Sequence, residues 1–493
     1  MIDQNLPILQ IIIPMIAAPL CMFLRHHLWS WLLALVISWI CLFISIALLT
    51  QVLEYGVIVY KLGGWAAPVG IEYRIDTLNG FVLVIVAAIG AVVMPYAKVT
   101  VDKEVPRDRA YLFYAMMLLC LTGLLGITIT GDAFNLFVFL EISSLSSYVL
   151  ISMGRDPRGL TAAYRYLVLG TLGATFYIIG VGLMYMMTGS LNIADLATLI
   201  PAVADTRTIQ AALAFLTVGL CLKLALFPLH MWLPNAYAYA PSAVSVFLAS
   251  TATKVSVYAL IRVVFTIFAG VNVLEIISVR DLLMGLAIAG MFAGSAVAIY
   301  QSNIKRMLAY SSVAQLGYMI LGVSMANVSG VSAGIVHLFN HAVTKGGLFM
   351  AMGCIMYVIG SVKLEDMAGL GKRMPVTMAA FLAGGFSLIG VPLTVGFISK
   401  WYLIQGALEE GWWPVAVLIV LSSLLAVVYV WRVVEVAYFQ DPPEGKEAVT
   451  EAPISMIIPM LVLIGASYYY GIDSTTTMDV ARQAAEVLIG DVK

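Results

Sequence analysis

Phe134-Asn-Leu-Phe-Val-Phe-Leu-Glu141-Ile-Ser-Ser-Leu-Ser-Ser-Tyr-Val-Leu-Ile151 decides the fold. The run comes close to the roughly 20 residues a helix needs to cross a bilayer, and it lacks the strict alternation of a barrel strand. One carboxylate stands at its centre. Similar runs recur through all 493 residues, of which 62% are apolar and only 11% charged, with a mean hydropathy of +1.00. Soluble domains are about half apolar and a quarter charged, so the composition excludes a soluble globular enzyme, a disordered chain and a disulfide-rich secreted module.

Polar breaks divide the chain into about fourteen spans, near 6–24, 30–52, 77–97, 110–130, 133–153, 163–187, 209–228, 243–267, 281–300, 306–326, 329–357, 375–404, 413–436 and 453–470. The N-terminus, Met1-Ile-Asp-Gln-Asn, has neither the basic region nor the small-residue cleavage site of a signal peptide, so the first run is expected to remain as a helix. About fifteen basic residues, among them Arg25, Lys98, Lys103, Arg155, Lys305, Lys363 and Lys446, fall at alternate breaks. About seven, Lys61, Arg74, Arg207, Arg262, Arg280, Arg482 and Lys493, fall on the other side. The positive-inside rule puts the first set in the cytoplasm and both termini outside, in a multi-pass protein of the cell (inner) membrane.

Net charge is −1, and no basic stretch suits nucleic acid. Cys21, Cys41, Cys120, Cys221 and Cys354 stand singly in apolar runs, so no cluster, zinc or haem site is expected and no cofactor is assigned. A weak self-similarity at an offset of about 170 residues relates Tyr164–Gly180 to His337–Gly353, as internal repeats do in transporters.

The chemistry is expected where charge is expensive. Lys223, Lys254, Lys345 and Lys400 lie inside apolar runs, as does Glu141, and His337 and His341 precede Lys345. A charge at mid-bilayer costs roughly 2.5–3.5 kcal/mol on insertion scales, so these groups must face partners or internal water, and an ion path is the default reading. A structural Glu141–Lys223 ion pair, a snorkelling Lys254 and hydrogen-bonded core histidines are the plainer alternatives. The i, i+4 histidines also resemble half a metal site, but nothing nearby in sequence completes one, so no metal is expected.

His337, His341 and Lys345 share one helical stripe about 12 Å long, a spacing that suits proton hopping through water. Gly346-Gly347 is expected to weaken the helix just after it. Pro228, Pro234 and Pro241 forbid one regular helix after Lys223, and Gly390-Val391-Pro392 divides the long span of Lys400. The seventh and twelfth spans are therefore expected to be broken, which membranes tolerate where the break lines a cavity or is buried in protein. An amine beside a carboxylate keeps its proton and a desolvated one releases it, so Glu141 near Lys223 would act as a switch, and histidines would relay protons onward.

These residues, with Thr130-Gly-Asp-Ala-Phe-Asn135, Phe227-Pro-Leu-His-Met-Trp-Leu-Pro234 and Lys305-Arg-Met-Leu-Ala-Tyr-Ser-Ser-Val-Ala-Gln-Leu-Gly317, resemble the antiporter-like subunits shared by respiratory complex I and the Mrp-type multisubunit cation/proton antiporters. The wording around Glu141 looks more like the Mrp D type than the N-type member of complex I. The Met-like complex I member also resembles this chain, but it carries Glu where Lys400 stands. The largest members add a long lateral helix, for which nothing after Tyr470 is long or apolar enough.

The resemblance implies an all-α integral membrane protein with two inverted five-helix repeats: helices 1–3 over residues 1–109, the repeats over 110–270 and 271–440, and a last helix and tail over 441–493. It also implies Glu141 and Lys223 as a gating pair, Lys254 as central relay, His337, His341 and Lys345 as the link across the repeats, and Lys400 as the terminal site. His230 and Asp132 receive no role. The implied partners are the other subunits of a hetero-oligomeric membrane antiporter, the lipid bilayer, and protons with Na⁺ or another monovalent cation. The expected function is proton translocation in a cation (Na⁺)/H⁺ antiporter, as a secondary transporter subunit. The alternatives are the proton-pumping arm of an NADH:quinone oxidoreductase or membrane hydrogenase, and an inactive scaffold, against which the buried ionisable groups argue.

Overall fold

A segment in hydrocarbon must satisfy its own backbone polar groups, and long apolar runs therefore become helices. The computed structural model describes residues 3–271, 279–442 and 449–490; Lys446 and Lys493 lie outside them. In chain order the elements that matter are α1 (Leu6–Leu24), α2 (His27–Tyr55), strands β1 (Ile58–Lys61) and β2 (Glu72–Ile75), α3 (Thr77–Glu104), α4 (Ala110–Ile129), α5 (Ala133–Ser152), α6 (Arg158–Thr188), α7 (Arg207–Leu224), α8 (Leu233–Tyr239), α9 (Ser242–Ser250) and α10 (Ala252–Arg262). They continue with α11 (Val279–Ile299), α12 (Ile304–Met325), α13 (Val328–Ile359), α14 (Pro375–Ile389), α15 (Val395–Glu409), α16 (Trp413–Val434), α17 (Ile454–Ile472) and α18 (Thr475–Gly490).

Thirteen helical stretches among the described residues are long and apolar enough to cross a bilayer, and each falls on an expected span. The remaining span is the split pair α14 and α15, and α7 gives way to turns and the short α8, so both expected breaks are present. Helix starts follow side-chain chemistry: Asp76, Asp132, Asn303 and Asn327 each accept a backbone N–H at the head of α3, α5, α12 and α13. Phe23, Phe43, Leu172 and Leu424 are exposed on outer helices, as lipid-facing side chains are.

Three features depart from the expectation. The link between α2 and α3 holds an antiparallel hairpin, with Ile58 opposite Ile75, and the tail after α17 contains the helix α18. A third departure concerns Gly346-Gly347. Here α13 runs unbroken, and the glycines serve close packing instead: a Cβ on either would stand 2.5 Å from Leu463 or Ile464 of α17.

The self-similarity has a backbone counterpart. Ala133 N–H donates to Leu191 O, and Ile193 N–H to Gly131 O; 171 residues further on, Ile304 N–H donates to Val362 O, and Leu364 N–H to Ser302 O. The first ladder lies beside the hairpin, where Tyr73 bridges Thr130. The second borders a cavity among Lys103, Arg155 and Lys305, which belong to the other charge set. The same turn thus recurs on opposite faces, as an inverted repeat requires.

On the hairpin side, Arg262 donates to Asp76 at 2.5 Å and to the Tyr258 hydroxyl at 3.0 Å, and that hydroxyl donates to Thr128 O. The Asp76 side chain is 22% exposed and that of Arg262 9%. Burial works against the Asp76 charge, but Arg262 and the Asn79 N–H outweigh it and hold the carboxyl below its ordinary value. Its stabilising effect is therefore complete above the unfolded carboxylate value of about 3.9 and declines as pH falls through the lower folded value. Asp76→Ala strands a buried guanidinium and is expected to cost about 3 kcal/mol, read as a lower Tm of the purified complex; an unchanged Tm refutes it.

Candidate functional site

The last turn of α7 carries Lys223, and the helix stops one residue later because Ala225 takes a left-handed φ of +60°. Trp232 Nε1 then caps the freed Leu222 carbonyl at 2.9 Å. From this helix end the Lys223 ammonium donates to Glu141 Oε1 of α5 at 3.1 Å and to Ser144 Oγ at 2.7 Å. The Lys223 side chain is 3% exposed and that of Glu141 23%, so the carboxylate borders the surface of the chain and the amine does not. A small cavity with room for about one water touches Lys223, Ser144, Ala252 and Ser256. It joins the ion pair to the start of α10.

Between α9 and α10 the helix breaks at Thr251, with no proline or glycine to announce it. The Thr251 hydroxyl donates to Phe247 O at 2.6 Å, and the Ala249 carbonyl receives the ammonium of Lys254. Lys254 is 1% exposed, which settles its position against snorkelling.

The stripe on α13 comes next. The His337 and His341 rings are parallel to within 3°, with centroids 6.1 Å apart. His337 Nδ1 meets Ser399 Oγ at 2.6 Å and Nε2 meets Gln315 Oε1 at 2.9 Å, whereas neither nitrogen of buried His341 has a partner among the described residues. Lys345 donates to Leu308 O at 2.7 Å and to the Ser311 hydroxyl.

Lys400 lies on α15 and turns back to the break between α14 and α15, donating to Leu388 O at 2.8 Å and Ile389 O at 2.9 Å. The break is made by Gly390 at φ +89°, where a Cβ would stand 3.0 Å from Lys400 Cδ. The ammonium also lies 4.9 Å from the centre of the Tyr318 ring. At Lys254 and Lys400 broken helices thus supply carbonyl acceptors that intact helices would keep to themselves.

All seven expected residues are therefore interior or, for Glu141, at the boundary of the interior. Sequence reading missed their uncharged partners Ser144, Ser311, Gln315 and Ser399. Gln315 lies inside a quoted motif and Ser399 adjoins Lys400, but only packing brings them to His337. The basic-residue count also assigned Lys305 and Arg262 to the polar breaks, whereas both are buried on helices. Asp132 is the cap of α5, and His230 stacks on Phe227. Among the described residues no three His, Cys, Asp or Glu side chains are grouped as a metal site would need.

A multi-span bundle with a row of buried ionisable side chains through broken helices defines a membrane ion-translocating protein. Residues 130–426 match the family model described as "NADH:quinone oxidoreductase/Mrp antiporter, TM". The chain is 45% identical over 416 residues to the N-type subunit of the NADH-quinone oxidoreductase of Desulforudis audaxviator, covering 82% of each protein. It is 30% identical over 491 residues to the D-type subunit of the Na(+)/H(+) antiporter of Bacillus subtilis, covering 99% of this chain and 98% of that protein. One chain in the structure of the Mrp complex from Dietzia sp. DQ12-45-1b superposes with a TM-score of 0.90 at 25% identity, covering 100% of this chain and 99% of that one. This protein belongs to the NADH:quinone oxidoreductase/Mrp antiporter transmembrane family.

Proposed function

We propose that the chain is the proton-translocating subunit of a hetero-oligomeric Na⁺/H⁺ or other monovalent cation/proton antiporter of the cell (inner) membrane, with both termini outside. Glu141 and Lys223 form the gate, Lys254 is the central relay, His337, His341 and Lys345 carry protons between the two repeats over 110–270 and 271–440, and Lys400 is the terminal site. One observation carries this reading: ionisable side chains run from the surface-bordering Glu141 to Lys400 without any of the interior ones facing lipid. His341, with two unpartnered nitrogens, is the point where a bridging water has most to bind. Moving one charge across 100 mV is worth about 2.3 kcal/mol, comparable to shifting a buried amine by one or two pH units, so the driving force matches the gate.

The 45% identity to a quinone oxidoreductase protein favours a second reading, in which the same row works as the proton-pumping arm of a redox complex. The test is the native complex in sealed vesicles under an imposed Na⁺ gradient with no electron donor. Proton counterflow supports the antiporter. Flux that appears only with an electron donor and quinone overturns it in favour of the redox arm.

A further inference from the structure

On the face opposite the hairpin, the junction of the two halves holds a cavity of about 440 Å³, a size typical of small-molecule sites. Lys103, Arg155, Arg158, Lys305 and Lys363 line it, with Glu104 and Asp156 as the only acids among the described lining residues. Both acids are already engaged. Glu104 accepts the Ser242 N–H at 2.5 Å at the head of α9, and Asp156 accepts the Arg158 N–H at 3.0 Å and its guanidinium at 2.7 Å at the head of α6. Arg158, at close range, holds the Asp156 carboxyl below its ordinary value, so that acid stays charged. Five cations against two anions leave a formal excess of three positive charges.

Helix dipoles add to this field. The cavity is walled by Arg158, Pro241 and Asn303, which stand at the heads of α6, α9 and α12, so three positive helix ends converge on it. At its floor Lys305 is 3% exposed, yet of the three protons on its ammonium only one has an acceptor among the described residues, Ser242 Oγ at 2.9 Å. A buried ammonium with unused donors, in a cavity of net positive charge, calls for an anion with several acceptor oxygens.

We propose that this cavity binds a phosphate-class anion through Lys305, Arg155 and Lys363, either the headgroup of an acidic phospholipid or free phosphate. Arg155 is exposed, and the Lys363 side chain, 63% exposed, pairs with Glu365 at 3.6 Å in a solvent-exposed contact that is worth little, so both can turn over a ligand at the rim while Lys305 holds it from below.

The purified native complex in phosphatidylcholine nanodiscs would be titrated with inorganic phosphate, followed by ³¹P line broadening, and separately loaded with phosphatidic acid, followed by native mass spectrometry. Saturable binding of either probe is expected, about ten-fold weaker in Arg155→Gln/Lys363→Gln, a loss of about 1.4 kcal/mol for the two rim contacts together. It is expected unchanged in Lys61→Gln/Arg482→Gln on the opposite face. Phosphate without phosphatidic acid assigns a free anion, and the reverse assigns a lipid headgroup. Binding of neither probe, or equal binding in both double variants, overturns the site.

Discussion

Glu141→Ala, introduced into the assembled complex, is expected to lower proton flux in vesicles by about ten-fold or more and to destabilise the protein by roughly 3–5 kcal/mol. The second effect follows from burial. Lys223 is 3% exposed, and without Glu141 only Ser144 among the described residues remains to accept from its ammonium. Lys223→Ala should stop transport equally but cost less stability, because the Glu141 side chain left behind is 23% exposed and reaches a more polar boundary. Glu141→Gln keeps an oxygen for Lys223 while removing the charge, so it separates the electrostatic role from the packing role. Its expected result is near-native Tm with flux still down about ten-fold. Wild-type transport in both Glu141→Gln and Lys223→Ala, with normal assembly, would mean that the ion pair only fastens α5 to α7.

The second large effect is expected at Lys400. Lys400→Ala leaves the Leu388 and Ile389 carbonyls without a donor at about 1–3 kcal/mol each, so lost flux in that variant mixes chemistry with damage. Lys400→Arg resolves the mixture. A guanidinium supplies donors to both carbonyls but, with a pKa above about 12, does not release its proton on any transport cycle. The expected outcome is a complex with near-native Tm and proton flux lowered about ten-fold or more. Normal flux in Lys400→Arg would assign the lysine a purely structural role at the break. Gly390→Ala tests the same junction from the backbone: at φ +89° a side chain costs about 1–2 kcal/mol, and its Cβ presses on Lys400 at 3.0 Å.

Much of the site was legible because lipid makes charge conspicuous. A lysine in a loop says little, but Lys254 in an apolar run has few explanations, and its 1% exposure places it in the interior as the run implied. The proline-marked break after Lys223 and the glycine-marked break before Lys400 were equally open to reading, since both residues act locally on the backbone. The break at Thr251 was not. It arises where a threonine hydroxyl and the Lys254 ammonium compete for the carbonyls of Phe247 and Ala249, and nothing in local composition distinguishes that from a regular helix. Gly346-Gly347 misled for the opposite reason: a glycine pair weakens an isolated helix, but here α13 runs unbroken with α17 packed closely against the pair.

The sequence by itself determined the span count, the charge asymmetry between faces and the seven ionisable residues, because hydropathy, basic-residue bias and the cost of buried charge are properties of short stretches. Only the tertiary structure decided which of those groups meet. Glu141 and Lys223 are 82 residues apart, and Lys345 reaches back 37 to Leu308. It also put Lys305 and Arg262, counted by charge with the polar breaks, into the interior. Partnership across such distances depends on how broken helices from the two halves pack, and that is fixed by the fit of many side chains at once.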